Sequence, residues 1–117
     1  RTQRLGEQIK RDLALLIQRD LKDPRVGMVT VNFVDLSKDL SYADVNVTVL
    51  VADDSDQKIV ESLTILNEAA SFLRMELGRG LKVRKVPHLR FHYDGSLKLG
   101  ARINALIHEA LKSDQRD

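Results

Sequence analysis

A chain of 117 residues without a single cysteine is long enough to bury roughly 65% of its unfolded surface in one core, and it has no thiolate catalysis, disulfide framework or Cys-type zinc site. No apolar run approaches the ~20 residues of a membrane span, and the opening RTQRLGEQIKRDL lacks a signal-peptide core, so a cytoplasmic chain is expected. The net charge of +2 hides an asymmetry that points to nucleic acid, unless the segments pair with each other: residues 35–68 carry eight acidic and two basic side chains, residues 74–102 eight basic and two acidic.

In residues 3–22, Leu5, Ile9, Leu13, Leu16 and Ile17 recur at helical spacing, and the segment ends before Asp23-Pro24. Arg4, Arg11 and Lys22 fall on the opposite side of this helix, since steps of seven and eleven residues return to nearly the same angle. Pro24 stops the helix and Gly27 permits a turn. The pattern then switches to period two. Val29, Val31 and Phe33 alternate with Thr30, Asn32 and Val34, and Ala43, Val45, Val47, Val49 and Val51 alternate with Tyr42, Asp44, Asn46 and Thr48. These are two half-buried strands joined by LSKDLS as a hairpin.

Asp53, Asp54, Ser55 and Asp56 read as a loop and helix N-cap, and no surrounding motif makes them a metal or acid–base site. Ile59, Leu63, Leu66, Ala70, Leu73 and Leu77 mark a long helical segment from about 56 to 77, with Gly78 as its C′ residue. After Pro87, Leu89, Phe91 and Tyr93 alternate with His88, Arg90 and His92 in a third strand. DGS at 94–96 turns the chain into a final helix, from about Ser96 to Lys112, that buries Leu99, Ile103, Leu106, Ile107 and Ala110. The expected class is α+β, with helices on one face of a three-stranded sheet and polar residues on the other. Residues 1–113 form one domain in this reading, and 114–117 a short polar tail.

Catalytic chemistry is weakly represented. His88 and His92 are four apart on a strand, roughly 13 Å along its length, which disfavours a shared metal. Gly78-Arg79-Gly80 follows a helix instead of leading from a strand into one, and no G-x-S-x-G or S-x-x-K motif occurs. Neither an enzyme nor a cofactor is expected. The strongest signal is GRGLKVRKVPHLRF at 78–91, where Arg79, Lys82, Arg84, Lys85 and Arg90 stand with no acidic residue among them. They are expected to form a surface patch, with Arg4, Arg11, Lys22 and Arg25 as further basic contributors. Aromatic residues make up 4% of the chain and are expected mostly in the core, which leaves phosphate contacts and RNA shape as the means of binding. The competing class is a protein-interaction adaptor whose basic side docks an acidic protein.

DPRVGMVTV at 23–31, DLSKDLSYADVNVTV at 35–49 and VPHLRFHYDGSLKLGARI at 86–103, in this order and spacing, resemble the ribosome-binding factor A family over almost the whole chain. The resemblance implies a single type II KH-like domain of order α-β-β-α(kinked)-β-α. It also implies a monomeric, non-enzymatic factor that binds free or immature small (30S) subunits through 16S ribosomal RNA. Such a factor supports late maturation and rRNA processing, notably in the cold, and needs neither a membrane nor a small-molecule substrate. KH domains clamp nucleic-acid backbone with a turn between two helices; the family resembles them but carries an Ala-x-Gly kink in the long helix. The matching positions are Ala69, Ala70 and Ser71, with Ser71 standing where the family pattern has Gly.

Overall fold

The computed structural model describes residues 2–51, 55–81, 83–95 and 97–115. In chain order the elements are α1 (Thr2–Asp20), β1 (Met28–Leu36), β2 (Tyr42–Leu50), α2 (Asp56–Glu68), α3 (Ala70–Gly80), β3 (His88–Tyr93) and α4 (Leu97–Gln115). The sheet order is β1-β2-β3, with β1 antiparallel and β3 parallel to β2. A parallel neighbour needs a long crossover, and α2 and α3 supply it. The core lies between the helices and the sheet: Ile9, Leu13, Val45, Val47, Leu63, Leu66, Leu73, Phe91 and Ile103 are all buried.

The helical stripe of α1 is buried as expected, and Gly6 adds to it, because a Cβ there would stand 3.2 Å from the Val34 carbonyl oxygen. Lys22 lies beyond the last turn, so it is not on the α1 face assigned to it. At Gly27 a Cβ would run into the Leu50 carbonyl oxygen. The Gly27 N–H donates to the buried Ser62 hydroxyl at 3.1 Å, which ties the turn to α2.

In β1 the alternation fails at one place. Val31 pairs with Val47 but Phe33 pairs with Asn46, so Asn32 is an extra, bulged residue. One inserted residue inverts the faces beyond it. Val34 and Leu36 therefore pack on the core, and Phe33, expected inside, is 44% exposed on the open face of the sheet.

Ser55 caps α2, its hydroxyl accepting from the Lys58 N–H at 3.2 Å; Asp53 and Asp54 lie outside the described residues. The long helical segment divides at Ala69, whose φ of −87° and ψ of 1° leave the α region. Ala69 itself stays hydrogen-bonded to both sides, its N–H to Ile65 O and its carbonyl to the Leu73 N–H, both 2.9 Å, so the segment is bent and not cut. Gly78 does not end it. The helix continues to Gly80, with the Leu81 N–H on the Leu77 carbonyl, and Gly78 provides a flat spot where a Cβ would meet Val86 Cγ2 at 3.1 Å. In α4 the buried side runs through Ile103 and Ile107 towards Leu111, which leaves Leu106, expected inside, exposed. The helix runs to Gln115, two residues past the domain boundary expected at 113.

The outer edge of β3 is closed by two asparagines. Asn67 accepts from the Phe91 N–H at 2.9 Å and donates to the Phe91 carbonyl at 3.0 Å, and Asn104 does the same for Tyr93 at 2.8 and 3.2 Å. Each side-chain amide stands in for a missing neighbour strand. Replacing Asn67 by Ala strands both Phe91 backbone groups. The expected loss is about 2 to 3 kcal/mol, measurable by denaturant unfolding, whereas an exposed substitution such as Gln57→Ala stays within about 0.5 kcal/mol.

Candidate nucleic-acid interface

The bend and the basic stretch meet. Ser71, Arg74, Met75 and Gly78 of α3, with Arg84, Lys85 and Val86, line one cleft of about 450 Å³. Residues 71, 74 and 78 share one side of a helix by their spacing, and the bend at Ala69 sets the direction of that side. Ala69 and Ala70 are half-buried against the core, and Ser71 is exposed. Its hydroxyl makes no hydrogen bond among the described residues, so the bend comes from the Ala69 backbone and not from a serine bonding back to an earlier carbonyl.

The cations differ in what already holds them. Arg84 is exposed and unpaired among the described residues, while Lys85 Nζ donates to Ser41 Oγ at 3.1 Å and stays exposed. Arg79 points to the other side of α3, paired with Glu76 at 3.0 Å. It shares a surface depression with Gln8, and Gln8 shares the next one with Arg4 and Arg11. These three arginines thus follow the outer side of α1 and α3. Lys82 lies outside the described residues.

Two expected members are set apart. Arg25 lines a hollow with Leu50, at the far end of β2 from Ser41, which binds Lys85; the eight residue steps of β2 put its two ends roughly 26 Å apart. Lys22 precedes the same turn. The Arg25 guanidinium is held by Asp23 at 2.6 Å, and this hydrogen bond, with that from the Arg25 backbone N–H, lowers the Asp23 carboxyl to about 2. Arg90 lies on the open sheet face, where parallel register sets it beside Asp44; its Nε and Nη2 reach the two carboxylate oxygens at 2.8 and 3.1 Å. It also covers the Tyr42 ring at 4.3 Å. Burial pushes the Asp44 carboxyl up, but hydrogen bonds from Arg90 and His92 outweigh it and hold the group below its ordinary range. Acidic and basic segments therefore do pair here, and Arg90 is not a free cation.

The expectation that the aromatics lie mostly in the core fails. Phe33, Tyr42 and Phe72 are between 41% and 44% exposed: Phe33 because of the bulge, Tyr42 because it stands on the polar sheet face where its alternation put it, and Phe72 because it is off the buried stripe of α3. Arg74 was missed as part of the cleft, although its place three residues after Ser71 could have revealed it. Among the described residues no group of three or more His, Asp or Glu side chains is placed to hold a metal, and no helix is long and apolar enough to cross a membrane.

A three-stranded sheet with one parallel pair, helices on one face and a bent helix pair beside a basic loop define a KH-like α+β protein of the type II arrangement. The model of the family "Ribosome-binding factor A" matches residues 1–107. Ribosome-binding factor A of Ectopseudomonas mendocina is 53% identical over 116 residues, covering 99% of this chain and 90% of that one. The crystal structure of the Thermus thermophilus factor superposes with a TM-score of 0.66 at 35% identity, over 78% of this chain and 93% of that one. A T. thermophilus homology model fitted into the cryo-EM map of a 30S–RbfA complex gives 0.62 at 36% identity, over 76% and 90%. The chain belongs to the ribosome-binding factor A family.

Proposed function

We propose that the chain is a monomeric, non-enzymatic assembly factor in the cytoplasm. It binds the free or immature 30S subunit through 16S ribosomal RNA and promotes late maturation and rRNA processing, supporting growth in the cold. One observation carries the reading: the helix after the bend and the basic loop that follows it line a single cleft, with Arg84 unpaired among the described residues and Lys85 accessible. The seating of the T. thermophilus relative in a 30S complex supports the partner. The domain, residues 1–113, acts as one RNA-binding unit. Arg4, Arg11 and Arg79 extend the surface, and Lys82 falls within the same basic run. Lys22, Arg25 and Arg90 contribute only if RNA reaches the far turn or displaces Asp23 and Asp44.

The adaptor reading differs in its salt dependence. Phosphate contacts release counterions, so affinity for isolated small-subunit RNA should fall by a log–log slope of roughly 0.7 to 0.9 for each contact. A slope near zero with RNA, alongside tight binding to an acidic protein, supports the adaptor. The bend has its own test. Ser71→Leu adds bulk at an exposed position, so stability should change by only about 0.5 kcal/mol, while binding to small subunits weakens about tenfold, or about 1.4 kcal/mol. Ala70→Leu is the poorer probe, because overpacking at a half-buried site costs about 1 to 3 kcal/mol by itself.

A further inference from the structure

Between α3 and β3 the described residues, 81 and 83–87, have no regular structure, and the backbone of 83–87 makes no hydrogen bond to other backbone among the described residues. A loop fastened only by its ends would leave Arg84 and Lys85 free to wander relative to Ser71. Lys85 is tied to Ser41 by its side chain, and Arg74 ties down the backbone that follows it. Arg74 Nε and Nη2 both donate to the Val86 carbonyl oxygen, at 3.0 and 2.8 Å. Arg74 is half-buried, and hydrogen bonds from a charged donor are about twice as strong as neutral ones. The flat face of α3 at Gly78 receives the Val86 side chain from below. Val86 directly follows the two cations, and Pro87 beyond it is buried.

We infer that Arg74 is a positioning residue: it spends its charge on the Val86 carbonyl to hold Arg84 and Lys85 at a set distance from the helix bend, without itself contacting RNA phosphate. The inference rests on the reading of the cleft as an RNA site. Rigid placement matters there because phosphates in a folded RNA sit at defined spacings, so a wandering loop must be ordered on binding, at a cost in affinity.

The test is a set of salt titrations of binding to purified small ribosomal subunits, with wild type, Arg74→Gln, Arg74→Lys, Arg84→Ala and the double variant Arg74→Gln/Arg84→Ala. Thermal unfolding confirms that each is folded, and Arg74→Lys, which keeps the charge and a single donor head, covers the case in which Arg74→Gln does not fold. Arg74→Gln should weaken binding about tenfold with the wild-type salt slope, Arg74→Lys should fall between the two, and Arg84→Ala should cost less affinity in the Arg74→Gln background than alone. A slope reduced by roughly 0.7 to 0.9 in Arg74→Gln, matching Arg84→Ala, makes Arg74 a phosphate contact and overturns the inference. Strictly additive losses make it a general structural residue and also overturn it. Should Arg84→Ala alone change neither affinity nor slope, the cleft itself is not the RNA site, and the failure lies in that earlier reading.

Discussion

Reversing both loop cations, Arg84→Glu with Lys85→Glu, should lower affinity for the small subunit by on the order of 100-fold and flatten its salt dependence by about 1.4 to 1.8 in log–log slope. The fold should not notice. Both side chains are exposed, Arg84 pairs with nothing among the described residues, and Lys85 gives up one exposed hydrogen bond to Ser41. Surface changes of this kind move stability by about 0.5 kcal/mol. Equilibrium binding at several salt concentrations, beside a thermal melt, reads both quantities. A double variant with wild-type affinity and slope would return the loop to a solvated connector.

The opposite pattern is expected at the centre of the sheet. Val47 is fully buried, paired with Val31 on one side and Tyr93 on the other, and its carbonyl accepts from the Asp94 N–H at 2.7 Å. Val47→Asp places a carboxyl where no donor waits. Burying it uncompensated costs several kcal/mol or forces it to stay protonated, which is comparable with the roughly 5 to 15 kcal/mol that holds a domain together. Circular dichroism at neutral pH should show an unfolded or severely destabilised chain, whereas a cooperative melt near that of wild type would contradict the assigned core.

What periodicity could reveal was the order of elements and most of the core, because Ile9, Leu13, Leu63, Leu73 and Phe91 occupy their faces by spacing alone. It failed where one residue changes a face or where two segments must be aligned. The Asn32 bulge carries no composition signal, so Phe33 was placed inside. The pairing of Arg90 with Asp44 depends on the register of parallel strands separated by two helices, and no local pattern encodes it. Gly78 was read as a helix end because glycine commonly ends helices; its purpose here is contact with Val86, which only the tertiary structure shows.

The candidate site was legible in pieces. Charge clustering found Arg84 and Lys85, and the family resemblance, not the helical stripe, drew attention to Ala69, Ala70 and Ser71. That Ser71 meets Arg84 and Lys85 in one cleft depends on where the chain after α3 turns back along that helix, which no local pattern encodes. Arg74 escaped notice because a lone arginine in an amphipathic helix is usually solvated, and nothing in the sequence tells which carbonyl will come within its reach. Equally, nothing in the run of basic residues separates Arg84, unpaired among the described residues, from Arg79 and Arg90, which have carboxylate partners.

Cosedimentation of the purified chain with small subunits, large subunits and assembled ribosomes, at matched particle concentration and moderate salt, tests the central claim most directly. The chain should be recovered with free or immature small subunits, little with assembled ribosomes and less with large subunits, and the Arg84→Glu/Lys85→Glu variant should lose the small-subunit fraction. Equal recovery with all three particles, unaffected by that double reversal, would contradict it.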